Sequence, residues 1–458
     1  MVTLRLTRRR LLRAAPAAVI VVPRYVLGGP GHTPPSAVPT RATVGTGAVG
    51  MIHVLANTPD APPVQVAVCD VDRRRLAAAA AKAGRGCRAI ADFRRIMDRT
   101  DVDVVVVATP PHWHALVTLA AVRAGKDVLC EKPFTRSIAE GRAVADAARR
   151  YGRVVCVHTM GRDGPWRTLR KAVTAGVLGR PLTVRLGPAS GFGFKVRTWL
   201  GRTDLAPQPV PAALDYDFWL GPAPEQPYHP HRVHRTFRGY WDYDGGGLTD
   251  MGQHWLDGVH YALGLDDAGP VHVSADGPQP AHADAVGPWR RAVIEYADGT
   301  RITLESGEAE VVGRGGERGA EAERYQAPFP EKPDTRQTPG RPDAAPAPFV
   351  EGPAGRAFFD PRRHRLTFDP PHFGEVVDAC VEPPATIEFP EAVTTRSSAP
   401  TRLPGAEAAH RSVTPLHLAN LAIRLGRAIR WDPSAERVVG DDAAECLVNP
   451  PMRPPWHL

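Results

Sequence analysis

The stretch that decides the fold is Ala42-Thr43-Val44-Gly45-Thr46-Gly47-Ala48-Val49-Gly50. A short apolar strand runs straight into G-x-G-x-x-G. The first glycine permits a tight turn, the second lets the backbone approach a pyrophosphate, and the third lets the following helix pack closely on its strand. The helix N-terminus then faces the phosphate charge. Ala48 and Val49 stand in that first turn. A second apolar strand, Val64–Cys69, ends in Asp70, 20 residues after Gly50. An acid at that place suits the ribose hydroxyls of NAD. Arg73, Arg74 and Arg75 follow it, which leaves the 2′-phosphate of NADP open. The other reading of Asp70 is a cap on the next helix.

Outward from this unit the strand–helix rhythm continues. Phe93–Arg99 is predicted helical and Val102–Ala108 is an all-apolar strand of the buried parallel kind. His114–Ala124 and Ser137–Tyr151 are predicted helices, with Asp127–Cys130 and Arg153–His158 as strands. The alternation predicts an α/β fold with a doubly wound parallel sheet and right-handed crossovers. Ligands bind beyond the C-terminal ends of such strands, where Gly45–Gly50, Asp70, Thr109-Pro110 and Glu131-Lys132-Pro133 all fall. Pro133 imposes an extended backbone on Lys132. That holds an ammonium at a strand tip, able to donate to a hydroxyl or to stabilise an oxyanion. Equally open is a surface lysine paired with Glu131.

The chain has 458 residues, 43% hydrophobic and 23% charged, which excludes wholesale disorder. Its formal charge is +8, but residues 1–50 hold seven Arg and no acid, so the remaining chain is nearly neutral. A nucleic-acid binder carries its basic stripe on a folded surface. This charge lies in Thr7-Arg8-Arg9-Arg10-Leu11-Leu12-Arg13, ahead of the apolar Ala14–Val22. That pattern resembles a twin-arginine export signal and predicts a periplasmic or extracytoplasmic protein that meets the translocase during export. The six Cys form no C-x-x-C pair, so neither a zinc site nor a disulfide framework is expected. Only six of the 57 cations are Lys, which draws attention to Lys132.

In the second half, Tyr216–Pro224 and Tyr228–Arg238 lead into Trp241-Asp-Tyr-Asp-Gly245-Gly-Gly-Leu-Thr-Asp250-Met-Gly-Gln-His254. The glycines read as a flexible turn before a helix. Asp250 and His254, four apart, share one helix face. Three readings stand side by side: a base pair in which the acid orients the imidazole, a capping Asp with a buried His, and a metal pair. His229, His231 and His234 lie in a Pro-containing loop without helical ligand spacing, and no metal is expected there. Arg291–Glu305 reads as a hairpin turning at Asp298-Gly299. Residues 308–347 and 385–409 read as polar insertions. His372–Val381 and Val413–Ile429 are predicted helices.

The glycine motif, Ala108-Thr109-Pro110 with His114, and Glu131-Lys132-Pro133 are similar to the Gfo/Idh/MocA oxidoreductases, and most to exported members with twin-arginine leaders. The Gly245–His254 segment matches that family too. The resemblance covers about residues 22–305 and 349–458. It implies a leader and arm over 1–40, a Rossmann domain over 41–160, and an α+β domain on an open, mostly antiparallel sheet over 161–458. It implies NAD or NADP held by Gly45, Gly47, Ala48, Val49, Gly50, Asp70, Thr109, Pro110, His114 and Glu131. The catalytic trio would be Lys132, Asp250 and His254, with His254 as base. Arg235 and Trp241 would line the substrate cleft, and the chain would form a homo-oligomer. The activity implied is hydride transfer between a sugar or polyol carbon and the nicotinamide. A redox-neutral enzyme with tightly held cofactor and a catalytically silent cofactor-binding protein are the alternatives. The intact trio speaks against the silent protein.

Overall fold

In the computed structural model the described residues are 38–56, 63–307 and 347–458. The stretch expected to be a twin-arginine leader and nearly all of the expected 308–347 insertion lie outside them. Six parallel strands form the first sheet: β1 (Thr40–Val44), β2 (Val64–Cys69), β3 (Arg88–Ile90), β4 (Val104–Val107), β5 (Asp127–Glu131) and β6 (Val155–His158), in the order β3-β2-β1-β4-β5-β6. The order reverses direction between β1 and β4, which places a ligand crevice at that switch point. All four valines of β4 are buried, because crossover helices cover both faces of a parallel sheet. Each such side chain contributes roughly 1.5–3 kcal/mol by leaving water.

The connecting helices are α1 (Ala48–Leu55), α2 (Arg73–Ala83), α3 (Arg94–Met97), α4 (His114–Arg123) and α5 (Ile138–Tyr151). Ser137 caps α5 by accepting from the Glu140 amide, and Gly152 closes it in the left-handed conformation. Asp72, not Asp70, caps α2, accepting from the amides of Arg74 and Arg75. That leaves the Asp70 carboxylate free of the capping role.

The second sheet has nine strands among the described residues. They are β7 (Thr183–Leu186), β8 (His272–Asp276), β9 (Arg291–Glu295), β10 (Arg301–Glu305), β11 (Val350–Glu351), β12 (Arg356–Asp360), β13 (Arg365–Asp369), β14 (Ile429–Asp432) and β15 (Arg437–Val438). Their order is β13-β12-β11-β7-β10-β9-β8-β14-β15, antiparallel except for β7 beside β10. Strands β9 and β10 are the hairpin around Asp298-Gly299, where Gly299 takes the positive φ of the turn.

Three helices face this sheet: α6 (Pro165–Thr174), α8 (Gly246–Leu263) and α11 (Ala406–Leu425). A short α7 (Tyr216–Leu220) lies between α6 and α8 in the chain, and α9 (Phe373–Ala379), α10 (Phe389–Thr395) and α12 (Asp442–Glu445) complete the helices among the described residues. Helix α8 is buried along nearly its whole length, packed on α6 and α11. Helix α11 also packs on α5, so it ties the two sheets together.

Two expectations need correction. The 385–409 stretch is not merely a polar insertion: Phe389, Val393 and Leu403 are buried against Val104 and Cys156 of the first sheet. The Gly245–Gly247 run is not a flexible turn either. Gly245 is the N-cap of α8 and the next two glycines begin it, all three buried. A Cβ on Gly247 would lie 2.3 Å from the Phe194 carbonyl oxygen, and one on Gly245 would lie 2.1 Å from the Asn420 side chain.

Candidate active site

The glycine loop is shaped as its residue types require. Gly45 has φ +86°, and a Cβ there would run into the Ala108–Thr109 backbone at 2.6 Å. A Cβ on Gly50 would sit 1.9 Å from the Gly45 carbonyl oxygen, so the third glycine serves packing and lies behind the crevice. Gly47 differs: its missing side chain points at a cavity of about 300 Å³, where only the Arg75 guanidinium comes near, at 3.3 Å. That bare, open backbone before a helix N-terminus is the cradle a dinucleotide pyrophosphate needs. Gly45, Gly47, Ala48, Val49, Asp70, Thr109, Pro110 and Glu131 all line the cavity. Asp70 turns one oxygen onto the Thr46 amide and hydroxyl, at 2.8 and 2.9 Å. Of the three arginines after Asp70, only Arg75 reaches the cavity.

His114 does not line the cavity. It is buried, with its two ring nitrogens each 2.8 Å from a carbonyl oxygen, those of Pro133 and Thr109. It therefore staples two loops of the crevice together rather than touching a ligand. Gln253 does similar service: its Oε1 accepts from the Phe134 amide at 2.7 Å and its Nε2 donates to the Ala409 carbonyl. This pins the loop that carries Lys132 against α8.

At the inner end of the cavity, Lys132 donates to the Asp250 carboxylate at 2.8 Å and to the Asp250 carbonyl at 2.9 Å. Arg238 donates from Nε to the same carboxylate oxygen at 2.7 Å. Burial alone would push the Asp250 carboxyl up, but the two cations outweigh it and hold the group well below the usual carboxylate range. The Arg238 guanidinium stacks on Trp199, 4.7 Å from the ring centroid, and Arg235 packs over the same ring at 5.3 Å. Both arginines line the cavity. Lys132 does not pair with Glu131.

Asp250 and His254 share a helix face but are not bonded to each other. The acid is engaged by Lys132 and Arg238, and His254 Nδ1 is buried with no hydrogen-bond partner. Burial, with the nearby Lys132 charge, pushes the His254 imidazole down to about 3. The expectation that Asp250 orients the His254 imidazole is therefore corrected: the Asp250 charge still raises the imidazole, but burial and Lys132 outweigh it. Asp250 is not a cap; the acid beside the cap is Asp244, which accepts from the Gly245 amide and the Thr249 hydroxyl.

Trp241 is also displaced from its expected place. Its indole donates to the His282 carbonyl, and it lines a separate cavity of about 80 Å³ with Arg136, Asp242, His417 and Arg424. The three loop histidines go to different partners: His229 accepts from the His231 amide, His231 meets the Tyr240 hydroxyl at 2.7 Å, and His234 lies 3.6 Å from Asp72.

Three residues that sequence reasoning passed over stand at the site. Arg238 lies in the stretch singled out for Arg235, and only its tertiary pairing distinguishes it. His53 on α1 and His158 at the tip of β6 both meet Glu131 Oε1 at 2.7 Å. Burial would raise the Glu131 carboxyl, but these two contacts hold it well below the usual range.

The chain belongs to the Gfo/Idh/MocA oxidoreductase family: residues 41–159 match its NAD-binding Rossmann fold, and 163–338 with 337–458 match its C-terminal alpha/beta domain. Over 144 residues it is 39% identical to inositol 2-dehydrogenase 1 of Saccharopolyspora erythraea, covering 31% of this chain and 43% of that one. Over 151 residues it is 34% identical to levoglucosan dehydrogenase of Pseudarthrobacter phenanthrenivorans, covering 31% and 38%. The matched stretches thus span less than half of these curated relatives. In fold it is similar to the WlbA dehydrogenase of Chromobacterium violaceum, solved with NADH and UDP-GlcNAcA, with TM-score 0.53, 17% identity and 86% and 96% of the two chains covered. The N-terminal domain is an NAD-binding Rossmann domain.

Proposed function

We propose that the protein transfers hydride between a hydroxyl-bearing carbon of a sugar or polyol and NAD or NADP. The observation that carries this is the Lys132–Asp250–Arg238 cluster closing the inner end of the dinucleotide cavity. The bound nicotinamide supplies the hydride acceptor. Gly47 and the α1 N-terminus would hold its pyrophosphate, Asp70 would take a ribose hydroxyl, and Arg75, which lines the same cavity, would meet a 2′-phosphate. Lys132, fixed by Asp250, donates to the substrate oxygen and favours its anionic form. His254, a neutral imidazole across the working pH range, accepts the hydroxyl proton. The names of the curated relatives, inositol and levoglucosan dehydrogenases, support a polyhydroxylated substrate.

The test is nucleotide reduction followed by absorbance with a panel of sugars and polyols. Lys132→Ala should lower kcat/KM by about 10²–10⁴-fold and leave nucleotide affinity nearly unchanged. A variant with near-normal turnover sinks the assignment.

One feature supports a second reading, a redox-neutral cycle on retained cofactor. Residues 234–238 bridge the cavity, with His234 near Asp72 at one end and Arg238 on Asp250 at the other. A cofactor enclosed in this way suits an exported enzyme, as the leader suggests. Nucleotide that survives purification and exchanges slowly supports it; free exchange with added NAD⁺ excludes it. We also propose that the enzyme is a homo-oligomer, which light scattering tests.

A further inference from the structure

The strand order gives the dinucleotide cavity two ends. With a pyrophosphate on Gly47 at the tip of β1, the nicotinamide half would run toward β5 and Lys132. The adenosine half would run past Asp70, over the tips of β2 and β3. Val71, Phe93 and Trp113, from loops of the first sheet, line that outer end. So do Phe218 and Trp219 of α7, from the second half of the chain. The segment around α7 is tied down on both sides. Leu214 forms an antiparallel bridge with Asp72. The Arg73 amide donates to the Ala213 carbonyl at 2.9 Å, and the Asp215 amide to the Val71 carbonyl at 3.1 Å. The Trp219 carbonyl accepts from the Trp113 indole and from His112 Nε2, each at 3.0 Å. A Cβ on Gly221 would lie 2.1 Å from the Trp113 ring. Residues 213–221 thus cross the adenosine end as a roof, from the loop after Asp70 to Trp113.

The last residues of the chain brace this roof. The Arg453 guanidinium donates to the Gly221 and Asp217 carbonyls at 2.9 and 2.8 Å, and to the Asp217 carboxylate at 2.6 Å. The Trp456 ring stacks on Phe218, with centroids 5.9 Å apart and planes at 13°. It also meets Trp113 edge-on at 4.8 Å. The Arg94 guanidinium packs over both Phe218 and Trp456, 5.3 and 5.8 Å from the ring centroids. Trp456 is not part of the cavity lining, yet it backs two residues that are. Residues 452–458 hold no helix or strand. Among the described residues, their one backbone hydrogen bond to another part of the chain runs from the Arg453 amide to the Pro222 carbonyl, at 2.9 Å. Such a segment can lift without breaking a helix or a sheet ladder.

We infer that residues 452–458 are a strap that holds the 213–221 roof over the adenosine and sets how long the nucleotide stays bound. The inference deepens the retained-cofactor reading above and rests on the nucleotide lying in this cavity. Release of the adenosine needs Phe218 and Trp113 to part, and Trp456 and Arg453 oppose that. Neither strap residue lines the cavity. Both are positioning residues that act through Phe218, Trp113 and the backbone of α7. Trp456 and Leu458 also pack against the core of the first sheet, so the alternative is a purely structural tail.

Nucleotide release from the full-length protein, followed by NADH fluorescence in stopped flow, tests the strap. Arg453→Ala and Trp456→Ala should each speed release by about 10-fold or more. AMP, which fills only the adenosine end, should lose affinity in the same variants. Nicotinamide mononucleotide, which fills only the inner end, should bind as it does to the wild type. Equal losses for both fragments would show a general loosening of the fold and overturn the strap in favour of the structural tail. A wild-type release rate in folded Arg453→Ala also overturns it. That variant keeps the aromatic contacts, so it decides alone if Trp456→Ala does not fold. These measurements need no substrate, so absence of turnover with every sugar tried sinks the oxidoreductase reading without touching the strap. Fast exchange already in the wild type excludes the retained-cofactor reading, and the ratio of variant to wild-type release then judges the strap by itself.

Discussion

Two glycine-rich segments flank the cleft, and they use the same residue for opposite ends. In Gly45–Gly50 the middle glycine leaves space: nothing but the end of a flexible arginine approaches where its side chain would be. In Gly245–Gly247 the glycines take space away. Asn420, Val286 and the Phe194 carbonyl all fall within 2.6 Å of the Cβ positions. The first segment is a ligand surface built from backbone. The second is a packing contact that lets α8 enter the core and present Asp250 to Lys132. Glycine content alone does not separate the two; what faces the missing side chain does.

The comparison breaks most visibly at Gly247. Replacing it with Val drives a side chain into the backbone of residues 194–195, and a loss of about 4 kcal/mol or more is expected, enough to abolish the cooperative fold. Thermal unfolding of the purified variant checks this; a melting temperature near wild type would show that the α8 start can shift. The matching change at Gly47 should behave oppositely. Gly47→Val leaves the unliganded protein close to wild-type stability and weakens nucleotide binding by about 10–100-fold, on the order of 1.4–2.8 kcal/mol. Calorimetric titration with NAD⁺ reads that effect. Equal affinity in the variant would mean that the pyrophosphate lies elsewhere.

How much of this was legible follows the same division. The Rossmann half could be read because its signals are local: a buried run such as Val104–Val107 and a glycine motif between strand and helix are complete within a few residues. The Lys132, Asp250 and His254 segments could be found, but their mutual geometry could not. Spacing of four puts Asp250 and His254 on one face, yet tertiary contacts from Lys132 and Arg238 take the carboxylate away from the histidine. Trp241 and Arg238 lie three residues apart in one loop, and only the closed chain decides which faces the cleft. His53 and His158 had no sequence signal at all, because each becomes meaningful only beside Glu131, 78 and 27 residues away.

The smallest effect concerns Asp244, which immediately precedes the glycine run and accepts from the Gly245 amide and the Thr249 hydroxyl. Burial, together with the Asp250 charge, pushes its carboxyl up to about 7, and its Oδ2 has no partner. In the unfolded chain the same group titrates near its ordinary value of 3.8. Its folded-state affinity for protons is the higher one, so it favours the native state at low pH. That contribution is lost as pH rises from about 4 through 7. Asp244→Asn cannot ionise, so its stability should fall less over that interval, by a difference on the order of 1–3 kcal/mol. Urea unfolding of both proteins across the interval gives the comparison. Parallel curves would mean that Asp244 is ionised at neutral pH and solvated by the neighbouring Arg238. The packed glycine segment would then be more open to water than its glycine contacts imply.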